Sequence, residues 1–251
     1  MGFLDFLFDK EKARQRRLKK LKKTLTNMYV QPAERKYAIE ELRSIGSEDA
    51  IRTLMARFEE TGPNHTTDAD DKQFVYSVLV DLGRRGEVDV VGTITDRLKE
   101  LEENINWPLK VLTDLVSYEE MADLITELLA ADDIGYRRNP EKKRELMLRA
   151  AEFQSPELAE QLVRYLEDDN ETIRFLAVDA LMAQDIEGLP QEPLMERLKQ
   201  EDSLRILQKI AEIAAEHPGW KVPEDDREEL EPLLPDGYGI HKKGHIYRKR
   251  S

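Results

Sequence analysis

The chain contains no cysteine. That excludes disulfides, thiolate zinc sites, cysteine-held iron–sulfur clusters and a thiol nucleophile. Glycine and proline are sparse, 12 and 11 among 251 residues, so breakers of regular structure are few. Long apolar runs are missing too, with nothing near the ~20 consecutive apolar residues of a membrane-spanning helix. The sequence holds no GxxxxGK[ST] phosphate loop, no GxGxxG turn and no HExxH pair. Of the four histidines, only His241 and His245 lie close together. Lys242, Lys243 and Gly244 between them disfavour the helix that would turn both rings to one metal. Carboxylates are so abundant that pairs four apart arise by chance and identify no acid–base couple. The expectation is a chain that is not an enzyme, with no metal and no cofactor. Trp107 and Trp220, each beside chain breakers, read as packing anchors rather than base-stacking platforms.

The N-terminus, MGFLDFLFDK, places its apolar stretch before the basic one, carries Asp5 and offers no small-residue cleavage site. A secretory signal has the reverse order. Position 6 is Phe, not the Ser or Thr of a myristoylation signal. The reading is a cytoplasmic protein.

Charge is what the sequence has in excess. Charged residues make up 36% and the net charge is −13, against roughly 25% charged in ordinary domains. Residues 1–28 carry nine Lys/Arg and three Asp/Glu, a net of +6, which leaves −19 for the remainder. An acidic body argues against a specific nucleic-acid partner, which would draw on a basic face.

The acidic body is repetitive. Five segments, 36–60, 73–100, 107–131, 144–169 and 173–201, share one plan of two apolar-periodic stretches with a break between them, and 204–216 adds a further half. Ile39, Leu42 and Ile45 step by three, and Leu158, Leu162 and Leu166 step by four, which is helical spacing. Gly46 followed by Ser47 reads as a helix stop and then an N-cap, Gly83 as a stop in the second segment, and Ser155-Pro156 as a cap with Pro at the first helical position. The segments start 37, 34, 37 and 29 residues apart. Helix pairs at such a period form α-solenoids, because one pair cannot cover its own apolar stripe and neighbours must stack.

DNETIRFLAVDALMAQD (residues 169–185) resembles the HEAT pattern, and KYAIEELRSIGSEDAIRTL (36–54) resembles the short HEAT-like repeats of the bilin-lyase type. The resemblance implies an all-α, right-handed α-solenoid of about five to six HEAT-like helix pairs. In such folds the second helix of each pair lines the concave side, where ligands lie. The third segment departs from the pattern, with Trp107-Pro108 at its start and no Gly at its break. The expected organisation is a basic amphipathic helix or cap over 1–30, the repeats over 31–234, and a basic tail or small hairpin over 235–251. The longer connections at 61–66 and 134–140 would bend the superhelix.

In the first four pairs, the first helices hold ten acidic and ten basic residues, and the second helices hold 17 and 5. Two readings stand. One is an acidic concave groove, built from Asp96, Glu100, Glu103, Asp123, Glu127, Glu157 and Glu160, that receives a basic segment of a protein partner. The other is a solvated acidic surface that maintains solubility. The fifth pair does not follow the trend.

The two ends differ from the body. Leu18, Leu21, Leu25 and Met28 form one apolar stripe on a basic helix. That helix either caps the first repeat or, joined to Phe3, Leu4, Phe6, Leu7 and Phe8, docks on an anionic membrane surface or a partner. The C-terminal residues are either a flexible tail or a hairpin turning at Lys243-Gly244, with Ile240 and Ile246 flanking. The leading function is therefore a scaffold or adaptor that binds a protein partner. The alternatives are a membrane-associated adaptor held by residues 1–28, peripheral to the membrane, and a HEAT-like enzyme or enzyme subunit of lyase type. HEAT-like DNA glycosylases use a cationic groove, the opposite sign to the one inferred.

Overall fold

The computed structural model describes residues 3–186 and 188–249, with side chains described from Lys10 onward. Among the described residues the chain is helical throughout, apart from one two-stranded hairpin at its end. It divides into two compact units, Met1–Met121 and Ala122–Ser251.

The first unit holds α1 (Phe3–Thr26), α2 (Pro32–Ile45), α3 (Glu48–Met55), α4 (His65–Arg85), α5 (Val90–Glu100) and α6 (Asn106–Thr113). The unit division then falls inside α7 (Tyr118–Ala131). Helix α2 packs on α3 and on α4, α3 packs on α5, and α4 packs on α6. Each helix thus meets its chain neighbour and the helix two along. The apolar periodicity explains this: Ala38, Ile39 and Leu42 on α2, and Ile51, Leu54 and Met55 on α3, are all buried, and none could be covered within one pair.

Polar bonds between successive pairs repeat with the same spacing. Arg43 of α2 reaches Asp81 of α4 at 2.6 Å, and Arg97 of α5 reaches Glu59 at 2.7 Å, each 38 residues apart. The Tyr76 hydroxyl donates to Asp114, again 38 apart. Deeper in the unit, Arg35 donates to Asp71 at 2.6 Å and Arg57 to Asp68 at 2.6 Å. Burial alone would raise the Asp68 carboxyl. Hydrogen bonds from Arg57, the Gly62 N–H and Lys72 outweigh burial and hold it below its ordinary value. Asp68 therefore ties the 61–64 connection to α4.

The caps follow the residue types. Gly46 takes φ +53 and its N–H reaches Leu42 O, and Ser47 then accepts from the Ala50 N–H. Gly83 does not stop a helix. Helix α4 runs through it to Arg85 and ends at Gly86, with φ +68. Gly83 is small for a different reason: a Cβ there would lie 2.5 Å from Leu115 Cδ1, so it is a packing notch. Helix α4 also begins at His65, a full two turns before the apolar period starts, because Asn64 caps it by accepting from the Thr67 N–H.

The second unit holds α8 (Glu141–Ala150), α9 (Pro156–Arg164) continued by a 3₁₀ turn (Tyr165–Glu167), α10 (Glu171–Met182), α11 (Gln191–Gln200), α12 (Leu204–Glu216), the short α13 (Arg227–Leu230), and strands β1 (Tyr238–Ile240) and β2 (Ile246–Arg248). Helix α10 packs on α8, α9 and α12, and α11 packs on α12. Gln184 donates to Ala150 O at 3.2 Å and to Phe153 O at 2.9 Å, joining α10 to the end of α8. The 134–140 connection is held by Lys143, which donates to Gly135 O at 2.9 Å and pairs with Asp168 at 2.6 Å, both side chains fully buried.

The last residues form an antiparallel hairpin with Ile240 opposite Ile246, and β2 packs on α12. Its turn is pinned: the Val222 N–H donates to Gly244 O at 2.8 Å, and Arg227 donates to Val222 O and Lys242 O. His241 and His245 flank that turn with rings stacked 4.6 Å apart.

Candidate functional site

The acidic residues of the proposed groove divide between the units: Asp96, Glu100 and Glu103 lie in the first, and Asp123, Glu127, Glu157 and Glu160 in the second. All seven are exposed. Their surroundings differ. On the first unit, Arg52 of α3 stands 3.9 Å from Asp96 and 3.7 Å from Glu100, and Arg97 bridges Glu59 and Glu100. That face is a lattice of ion pairs between α3 and α5, and much of its charge is already met.

The second unit presents its acids more openly. Glu157 and Glu160 are three apart on the outer face of α9, which leads through Arg164 to Glu167. Glu157 is held below the ordinary carboxyl range by its own backbone N–H and by the Ser155 hydroxyl, so it stays charged. Glu160, Glu167 and Glu192 pair with no cation among the described residues. Arg164, the one cation on this stretch of α9, turns sideways to Gln161.

Between the end of α9 and α11 lies a pocket of about 250 Å³. Its floor is Val163, Leu166 and Pro193, its rim is Glu167, Glu192 and Glu196, and Arg197 and Gln200 complete the lining. Both cations of α11 are already paired with carboxylates. Arg197 turns inward to the buried Glu201 at 2.8 Å, and Lys199 is held by Asp226 at 3.0 Å, with Glu196 at 3.3 Å. An apolar floor ringed by carboxylates suits the long apolar stem and charged head of a lysine or arginine.

Glu192 and Glu196 escape a reading by net charge. Helix α11 carries Arg197 and Lys199 beside them, so its count balances. The geometry separates what the count merges, because Arg197 is taken up by the buried Glu201 and Lys199 is shared between Asp226 and Glu196, which leaves Glu192 with no cation among the described residues. A spacing argument could have found this: Glu192 and Glu196 lie four apart, and Leu194 and Leu198 take the buried face.

Helix α1 is the other distinctive surface. Leu18, Leu21 and Leu25 are buried, and α1 packs on α2 and α3. Arg17 pairs with Glu41, and Arg14 lies 3.5 Å from Asp49. Phe3, Leu4, Phe6, Leu7 and Phe8 lie within the helix span, but their side chains fall outside the described residues. No helix among the described residues is long and apolar enough to cross a membrane. Nor does any group of three or more His, Asp or Glu among them stand in position to hold a metal ion. Trp107 stacks on Phe58 at 5.7 Å between centroids, and Trp220 stacks on His217 at 4.9 Å.

No protein-family model, no curated protein and no solved structure matches this chain.

Proposed function

We propose that the chain is a non-catalytic scaffold of the HEAT-like α-solenoid kind, which holds a basic segment of a protein partner against the acidic outer faces of its second helices. Support for the solenoid comes from the pairing of each helix with the helix two along, and from polar bonds that recur 38 residues apart. The observation that carries the binding reading is the pocket between α9 and α11, where Glu167, Glu192 and Glu196 rim an apolar floor and Arg197, the cation in its lining, is paired with the buried Glu201. Glu157 and Glu160 extend the same charge along α9.

A peptide rich in Lys and Arg provides the test. Its binding to the intact chain is followed by fluorescence anisotropy at rising salt. The triple variant E160K/E167K/E192K is expected to lose binding, and the intact chain is expected to release the peptide as the Debye length shrinks from ~10 Å at 0.1 M toward ~3 Å at 1 M. Equal binding by the variant, or indifference to salt, would reject the reading.

A further inference from the structure

Helix α1 presents two faces with different fates. Its inner face is spent on packing: Leu18, Leu21 and Leu25 are buried against α2 and α3. From Lys10 to Arg17 every residue is exposed, and this part of the helix meets the body through polar contacts of Arg14 and Gln15 with Asp49 and of Arg17 with Glu41, without a buried apolar residue. A segment of that length is only marginally helical by itself in water, where isolated helices under ~12–15 residues are unstable. It stays helical as a continuation of the packed turns.

The outer face is cationic. Lys12, Arg16, Lys19 and Lys23 recur at intervals of four, three and four. At 3.6 residues per turn they fall within a wedge of roughly 60°, opposite the buried leucines, along about 16 Å of helix. All four are exposed, and none pairs with a carboxylate among the described residues. The neighbouring Arg14 and Arg17, by contrast, are met by Asp49 and Glu41. Four unmatched like charges on one face repel one another, and an anionic surface relieves that repulsion.

We infer that α1 docks the chain on an anionic lipid bilayer through Lys12, Arg16, Lys19 and Lys23 while its leucine face stays packed on α2 and α3. Capping and docking, alternatives when only the sequence is read, are served by opposite faces of one helix. A second copy of the chain fits less well. Continued toward the N-terminus, the leucine stripe reaches Arg14 and Glu11, which break a coiled-coil seam. A nucleic acid would match the charge. It would find no use for the first turns, where five of the six residues in FLDFLF are apolar, and apolar residues followed by a basic stretch suit a lipid interface.

The experiment is co-sedimentation of the intact chain with vesicles of phosphatidylcholine alone and of phosphatidylcholine with phosphatidylserine. Binding is expected only to the anionic vesicles and is expected to weaken as salt rises. Each cation near such a surface strengthens binding on the order of fivefold, so K12E/R16E/K19E/K23E should lower affinity by at least about 500-fold. Reversal of an equal charge on the C-terminal hairpin, K242E/K243E/R248E/K249E, is expected to leave most of the binding in place. Circular dichroism checks that both variants fold, and the Lys/Arg→Gln version of the first set replaces it if it does not. The proposal is overturned if the intact chain fails to sediment with anionic vesicles at low salt. It is also overturned if the two reversals weaken binding equally, or if the chain captures single-stranded RNA and ignores vesicles. The pocket variant E160K/E167K/E192K is expected to sediment at least as well as the native chain, which separates this result from that of the scaffold reading.

Discussion

Glu201 is the most heavily engaged carboxylate in the second unit, and replacing it with Gln should produce a stability loss with a specific pH signature. Its side chain is fully buried at the end of α11. It accepts two hydrogen bonds from Arg174, at 2.8 and 3.0 Å, one from Arg197 at 2.8 Å, and one each from the backbone N–H groups of Asp202 and Ser203. Burial pushes its pKa up. The bonds from Arg174, the Ser203 N–H and Arg197 pull it down further, to about 2 from an ordinary 4.5. At ~1.4 kcal/mol per unit, that difference is worth roughly 3 kcal/mol to the folded state. The folded pKa is depressed, so the contribution is complete above pH 4.5 and disappears as pH falls toward about 2. E201Q removes the charge, which leaves the Arg197 guanidinium without its counter-ion and Arg174 with only the exposed Asp202 at 3.1 Å. Its cost at neutral pH should be about 3 kcal/mol or somewhat more. Urea unfolding measures it, followed through Trp220 in a W107F background so that the second unit is reported alone. The gap between E201Q and its parent should narrow as pH falls through that window. A gap under about 1 kcal/mol at pH 7, or one that does not change with pH, would refute the reasoning.

Other substitutions test the packing. G83A forces a Cβ into Leu115, 2.5 Å from its Cδ1, and should destabilise the first unit by about 1–3 kcal/mol, with partial recovery in G83A/L115A, measured by urea unfolding. G244A strains a backbone at φ +92 and places its Cβ 2.8 Å from Val222 O, so the Val222 N–H should lose hydrogen-exchange protection while the helical repeats keep theirs. L25A empties a fully buried position between α1 and the body, at a cost of roughly 2–5 kcal/mol, and should expose α1 to limited proteolysis.

Much of the helical architecture was legible because it rests on one repeated physical pattern. Apolar residues at spacings of three and four mark each buried face, and Gly46-Ser47 and Ser155-Pro156 mark the breaks where a left-handed stop or a side-chain cap is needed. Gly83 misled because glycine has two uses, as a left-handed stop and as a notch for a neighbour's side chain. Only the position of Leu115 tells them apart. The early start of α4 was hidden because its first two turns, HTTDADDK, are polar. They are held by the Asn64 cap and by Asp68 and Asp71 facing Arg57 and Arg35, not by an apolar stripe. At the C-terminus the residues allowed either a tail or a hairpin, and the clamp of Val222 and Arg227 on the Gly244 turn is a long-range contact that local pattern does not encode.

The acidic surface was legible as a bias and not as a place. Counting charges by helix brought Glu157 and Glu160 forward and passed over Glu192 and Glu196, whose helix balances on paper. Ion pairing decides which charges face a partner, and it depends on partners such as Glu201 and Asp226 that come from outside the counted helix or lie at its end. The same effect reduces the weight of Asp96 and Glu100, since Arg52 reaches across from α3 to both.

Hydrogen–deuterium exchange of the intact chain, with and without a saturating Lys/Arg-rich peptide, tests the scaffold reading most directly. The account predicts new protection in residues 156–167 and 191–200, lost again at high salt. Protection confined to the acidic stretch 224–236, or none in the two helices that line the pocket, would contradict it.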